Sequence, residues 1–166
     1  MPATHGPGLA PSDGERHTAW LLVLGQFSLL ALIVLAPRSH MWTIPVAVDR
    51  VTRVAAGMGI VVMLIAGATL GRGLTAAPLP NSHAELRTRG LYRLVRHPIY
   101  SGLLLLSLAL TLTSGSLWIL SADAALVVLI NVKARWEEGH LERRFTDYAA
   151  YAARTPRFLP RLVHHH

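Results

Sequence analysis

Between Trp20 and Pro37 only Gln26 and Ser28 interrupt a continuously apolar run, and three more such runs follow. A membrane-crossing helix needs about 20 apolar residues to span roughly 30 Å of hydrocarbon, and the first run is long enough. The second, Val54 to Leu70, is loosened by Gly57, Gly59 and Gly67 and closed by Gly71. Small residues of this kind let neighbouring helices approach closely in lipid. Ile99 to Leu112 and Leu117 to Val132 are the third and fourth runs, joined by Thr113-Ser114-Gly115-Ser116. That turn predicts a helical hairpin, each arm shorter than a full span. No run alternates with period two, which argues against a barrel. The composition agrees: 52% of the chain is hydrophobic and only 15% charged, against about 25% charged in soluble domains. The expected fold class is all-α, a multi-pass membrane protein with four transmembrane helices over about 19–37, 53–71, 98–113 and 117–134. A cytoplasmic amphipathic helix is expected to continue the fourth without a break, over about 135–153.

The formal charge of +7 raises the question of nucleic acid. The basic residues, however, sit at the ends of apolar runs, where anionic headgroups and membrane orientation call for them. With four spans, thirteen of the sixteen lie on the side of the N-terminus, the 71–97 loop and the C-terminal region. The other side holds Arg38, Arg50 and Arg53. This asymmetry predicts an integral protein of a bacterial-type cytoplasmic membrane with both termini cytoplasmic, and a lipid bilayer rather than nucleic acid as partner. There is no cysteine, so disulfides, thiolate metal sites and cysteine nucleophiles are excluded. Residues 1–16, rich in Gly, Pro and polar types, read as a flexible tail and not as a signal peptide. Residues 17–162 form one domain, and 163–166, ending in three histidines, read as the remnant of a purification tag. No oligomeric state is legible.

Two segments on the predicted cytoplasmic side are too particular to be tethers. The first, 78–102, reads PLPNSHAELRTRGLYRLVRHPIYSG, and the second, 133–162, reads KARWEEGHLERRFTDYAAYAARTPRFLPRL. In the second, Trp136, His140, Phe145, Tyr148 and Tyr151 recur at steps of three to five, giving an aromatic stripe suited to the membrane interface. Thr155-Pro156 ends it, and Phe158-Leu159-Pro160 runs extended.

Together these segments resemble the isoprenylcysteine carboxyl methyltransferase family and its relatives among phospholipid N-methyltransferases. The carrying residues are Gly90, Tyr92, Arg93, Arg96-His97-Pro98, Tyr100 and Gly102, then Arg135, Glu137-Glu138, Leu141, Phe145, Tyr148, Tyr151, Pro156 and Pro160. The likeness covers roughly 55–161; the spacing from Phe145 to Tyr148 is one residue tighter than is usual in the family. The resemblance implies a membrane methyltransferase with S-adenosyl-L-methionine as methyl donor. It places Arg96, His97 and Glu138 at the reacting centre, and Tyr92, Arg93, His97, Pro98, Tyr100, Gly102, Glu137, Glu138 and Tyr151 around the donor.

These residues make physical sense in that role. Pro98 suits the first turn of a helix, whose free N–H groups and positive dipole end attract a carboxylate. Gly102 lets a ligand or a helix come close. Glu138, more than Glu137, is expected to accept hydrogen bonds from ribose hydroxyls or to pair with an ammonium. Adjacent helical residues diverge by about 100°, so the two carboxylates are not expected to meet one group. The acceptor is expected to be a lipophilic small molecule with a carboxyl, hydroxyl or thiol group. The bland alternatives are a helix start at His97-Pro98, topology-setting arginines and a solvated glutamate pair. The competing functions are an NADPH-dependent membrane reductase of the sterol-reductase type and a non-catalytic membrane subunit of the same fold. Asp123 in the fourth run is a functional hint outside the resemblance. His83 and His140 lack metal-site spacing, and no metal is expected.

Overall fold

The computed structural model describes residues 12–39, 41–75 and 85–161. All regular structure among them is helical. Helix α1 covers Asp13–Leu35, α2 Val46–Leu70, α3 Leu91–Leu94, α4 Pro98–Leu112, α5 Leu117–Arg144 and α6 Tyr148–Arg154. Among the described residues α1, α2 and α5 are long and apolar enough to cross a membrane, and α4 is a shorter apolar helix. Their outer faces carry Trp20, Leu24, Val54, Met58 and Trp118 in exposed positions, as lipid requires and water would not tolerate.

Three boundaries differ from the expected ones, each for a local reason. Helix α1 begins inside the expected tail because Ser12 and Glu15 form a capping box: the Glu15 N–H donates to Ser12 Oγ at 3.2 Å, and the Ser12 N–H to Glu15 Oε2 at 2.9 Å. Residues 1–11 and the expected tag remnant lie outside the described residues. Helix α2 starts at Val46, ahead of its apolar run, with an Asp49–Arg53 pair across its first turns. Finally, the helix expected to continue to 153 breaks at Phe145, whose backbone is extended (φ −121°, ψ 112°). The chain turns at 145–147, and α6 folds back instead of continuing along the interface. The predicted stripe is therefore split, and Tyr148 and Tyr151 are buried rather than interfacial.

Helix α4 is flanked by α2, α5 and α1. This central place lets a 15-residue helix, about 22 Å long, serve where a lipid-exposed one would fall short. Its tightest seam is with α2. A Cβ added to Gly102 would stand 2.5 Å from the Gly59 carbonyl oxygen, and one added to Gly59 would stand 2.6 Å from that of Gly102. The two backbones touch, as small residues permit in membranes. At the far end of α4, the Ser39 N–H donates to the Ser114 carbonyl at 3.0 Å and the Met41 N–H to that of Gly115 at 3.2 Å. Trp42 Nε1 donates to the Leu112 carbonyl at 3.0 Å. Asp123 is buried beside Ser107 in the α4–α5 seam. At the near end, His140 Nε2 lies 3.1 Å from Glu15 Oε1 and ties α5 to α1.

Candidate functional site

The site grows from the way the chain enters α4. After the single turn of α3, Val95 is extended and His97 caps α4, with Pro98 at its first position. Proline there costs no hydrogen bond and fixes φ for the helix. The residues before α4 present free backbone N–H groups, and the C-terminal segment covers them. The Arg96 N–H donates to the Pro156 carbonyl at 2.8 Å, the His97 N–H to that of Arg157 at 3.1 Å, and Ser101 Oγ to that of Phe158 at 2.7 Å. Pro156 and Pro160 keep this strap from turning helical, which leaves its carbonyls to be used this way.

Under the strap lies a charge cluster. Glu138 Oε1 accepts from Arg157 Nε at 2.9 Å and lies 3.0 Å from His97 Nε2 and 3.1 Å from Arg96 Nη2. Its other oxygen is also bound by Arg157. Burial alone would raise the Glu138 pKa. The hydrogen bonds from Arg157 and His97, with the charge of Arg96, outweigh it and hold the carboxyl at about 2. Glu137 accepts from the Tyr100 hydroxyl at 2.9 Å, and its carboxylate is 3.8 Å from His97 Nδ1. The imidazole thus stands between the two carboxylates, one near each nitrogen, and stacks on Tyr100 at 5.3 Å between centroids. The 100° divergence of Glu137 and Glu138 is bridged by a ring with two polar edges.

Beside this cluster opens a cavity of about 350 Å³, within the usual range for small-molecule sites. Arg96, His97, Pro98, Ile99 and Tyr100 line it from the start of α4, and Tyr92 from α3. Lys133, Glu137 and Leu141 face it from α5, and Tyr148 and Tyr151 from α6. Phe27 of α1 and Leu70 of α2 complete the apolar side, with the Gln26 amide of α1 beside them. Two buried donors on its lining residues have no hydrogen-bond partner among the described residues: the Tyr148 hydroxyl, on a residue 1% exposed, and Arg96 Nε. Burial pushes the Tyr151 pKa up to about 12 and raises those of Tyr92 and Tyr148, so all three hydroxyls stay protonated at neutral pH. The Tyr151 hydroxyl donates to the Tyr92 carbonyl at 2.5 Å and fixes α6 against α3.

A profile of the Phospholipid methyltransferase family matches residues 51–148, more than half of the chain. The chain belongs to that family. A curated relative, the cobalt-zinc-cadmium resistance protein CzcN of Cupriavidus metallidurans, is 37% identical over 97 residues. That alignment covers 57% of this chain and 45% of the relative, so the chain spans less than half of that protein's length.

Within this phospholipid-methyltransferase-family chain the predicted residues divide. Arg96, His97, Pro98, Tyr100, Tyr92, Glu137 and Tyr151 meet at one cavity. Glu138 joins them at one remove: it is among the residues holding Arg96 and His97, not among those lining the cavity. Arg93 is exposed and faces a second, smaller hollow with Thr88 and Arg154. Gly102 serves the α2–α4 seam instead of the cavity. His140 is engaged by Glu15 and the Trp136 carbonyl, and His83 lies outside the described residues. Sequence reasoning gave no site role to Arg157, Tyr148, Gln26 or Lys133. The last two had a usable signal: each is a strongly polar residue inside or at the edge of an apolar run.

Proposed function

We propose that the chain is an S-adenosyl-L-methionine-dependent methyltransferase acting on a lipophilic acceptor within the membrane. The observation that carries this reading is a single cavity with two kinds of wall. One wall is polar: Arg96 with its unpartnered Nε, the Tyr148 hydroxyl, Glu137 and the first turn of α4. The other is apolar and belongs to α1, α2 and Ile99. The polar wall fits the donor's chemistry. Arg96 and the positive end of α4 suit a carboxylate, Glu137 suits an ammonium or ribose hydroxyls, and the tyrosine rings suit a flat base. When bound, the donor supplies a methyl group on a sulfonium, already activated for in-line displacement.

The protein's own task is then alignment and exclusion of water, effects worth several kcal/mol of barrier. His97, fixed between Glu137 and Glu138 and stacked on Tyr100, orients the floor of the cavity. The strap and Arg157 close the site over Glu138. A carboxylate acceptor needs no general base. The basic asymmetry supports cytoplasmic termini and a cytosolic donor, in a membrane of bacterial type. The exposed Phe27 of α1 and the Leu70 of α2 in the cavity lining support lateral access for the acceptor.

Membranes containing the protein, incubated with donor labelled in the methyl group, test the reading. Label is expected in the organic-extractable fraction, and it is expected to fall sharply with His97→Ala or Glu137→Ala. Absence of label above protein-free membranes contradicts the proposal and favours a non-catalytic subunit.

A further inference from the structure

Arg93 belongs to the first motif but not to the main cavity, and the second hollow gives it a setting of its own. Thr88 and Arg93 reach that hollow from around α3, and Arg154 and Thr155 from the end of α6. Tyr151 lines both spaces. The hollow measures about 290 Å³, and every side chain lining it carries a guanidinium or a hydroxyl. Thr155 is nearly buried there, at 4% exposure. Other arginines of this region are matched: Arg96 and Arg157 by Glu138, Arg87 by Glu85 and Arg143 by Glu15. All nine acidic side chains of the sequence lie among the described residues, and none of them forms an ion pair with Arg93 or Arg154. Two cations sharing one recess without an acid repel each other, and a bound anion reverses that cost.

We propose that this hollow binds a phosphate group, supplied by an anionic lipid head group or by a soluble phosphate. The planar forks of Arg93 and Arg154 match phosphate oxygens, and threonine hydroxyls add neutral donors. Leu94, next to Arg93, is exposed. An apolar side chain and a cation side by side suit the head-group level of a membrane. The site does not depend on the methyltransferase reading. Bound there, the phosphate joins α3 to α6. Helix α3 is a single turn, too short to hold itself, and is already tied to α6 by the Tyr151 hydroxyl on the Tyr92 carbonyl. The occupant therefore reinforces a wall of the main cavity, which Tyr92 and Tyr151 both line.

The purified full chain, in neutral detergent and phosphate-free chloride buffer, tests the site. Inorganic phosphate is titrated by calorimetry at constant ionic strength. In parallel, the unfolding temperature is followed in micelles doped with phosphatidylglycerol or, as the zwitterionic control, phosphatidylcholine. A saturable response to phosphate, to phosphatidylglycerol beyond the control, or to both is expected. Phosphate as the tighter ligand identifies a soluble source, and phosphatidylglycerol a lipid head group. Arg93→Gln and Arg154→Gln are each expected to weaken the response about tenfold. Arg161→Gln, at an exposed arginine outside the hollow, is expected to leave it unchanged. In the wild-type chain the tighter ligand is expected to slow phenylglyoxal modification of Arg93 and Arg154 but not of Arg161, a readout that needs no variant. No saturable response to either probe overturns the site. So does a response that Arg161→Gln weakens as much as the other two, or modification of Arg93 and Arg154 that the ligand does not slow.

Discussion

The two ends of α4 are both stitched to distant parts of the chain, but with different chemistry. At its C-terminal end the stitches are neutral: backbone groups of Ser39 and Met41 on Ser114 and Gly115, and the Trp42 indole on the Leu112 carbonyl. At its N-terminal end the backbone stitches to the strap are backed by the charges of Arg96, Glu138 and Arg157, with the His97 imidazole against Glu138. A turn that only has to close needs hydrogen bonds worth about 1 kcal/mol each. A buried charge cluster recovers its desolvation cost only when every member is paired, so removing one member strands the others. One end of α4 therefore tolerates loss, and the other is brittle.

The largest expected effect is at the centre of the brittle end. Glu138→Ala leaves Arg96 and Arg157 without their carboxylate and should lower stability by about 3–5 kcal/mol in detergent unfolding. A loss no greater than that of a neutral-end variant removes the contrast. Next is the α2–α4 seam, where Gly102→Ala drives a methyl group into the Gly59 carbonyl and should cost about 1–3 kcal/mol.

Arg157→Ala should cost about 2 kcal/mol, because Glu138 keeps Arg96 and His97. Its particular signature is faster amide exchange at Arg96 and His97 as the strap loosens; unchanged exchange there separates Arg157 from the strap. Acid pH sharpens the same point. The Glu138 pKa is depressed in the folded chain, so its contribution is complete above the ordinary carboxylate value of about 4.5 and is lost as pH falls through about 2. Wild-type stability should fall across that window, and Glu138→Gln should remove this part of the acid limb. The smallest effect is expected at the neutral end, where Trp42→Phe should cost about 1 kcal/mol and leave S-adenosylhomocysteine affinity unchanged.

The contrast also explains what the sequence could reveal. The apolar runs locate α1, α2, α4 and α5, since spanning helices must satisfy their backbone internally. The juxtaposition of Arg96-His97 with Glu137-Glu138, 41 positions apart between His97 and Glu138, was legible through a paired motif. Which glutamate faces the cavity was not, because it depends on the rotation of a helix end whose surroundings are polar on several sides. Arg93 and Arg96 look like neighbours one helical turn apart, yet the extended Val95 sends them to different hollows. The break falls at Phe145-Thr146-Asp147, weak helix formers set between strong ones, and where the chain goes after it is fixed by the burial of Tyr148 and Tyr151. Arg157 belongs to a strap with no periodicity of its own, and its partner is set only by the tertiary fold.

The most direct measurement is calorimetric titration of the detergent-purified wild-type chain with S-adenosylhomocysteine, paired with thermal unfolding at the same ligand concentrations. The account predicts saturable heat at one site per chain and an unfolding temperature that rises with ligand. Absence of heat together with an unmoved transition contradicts it.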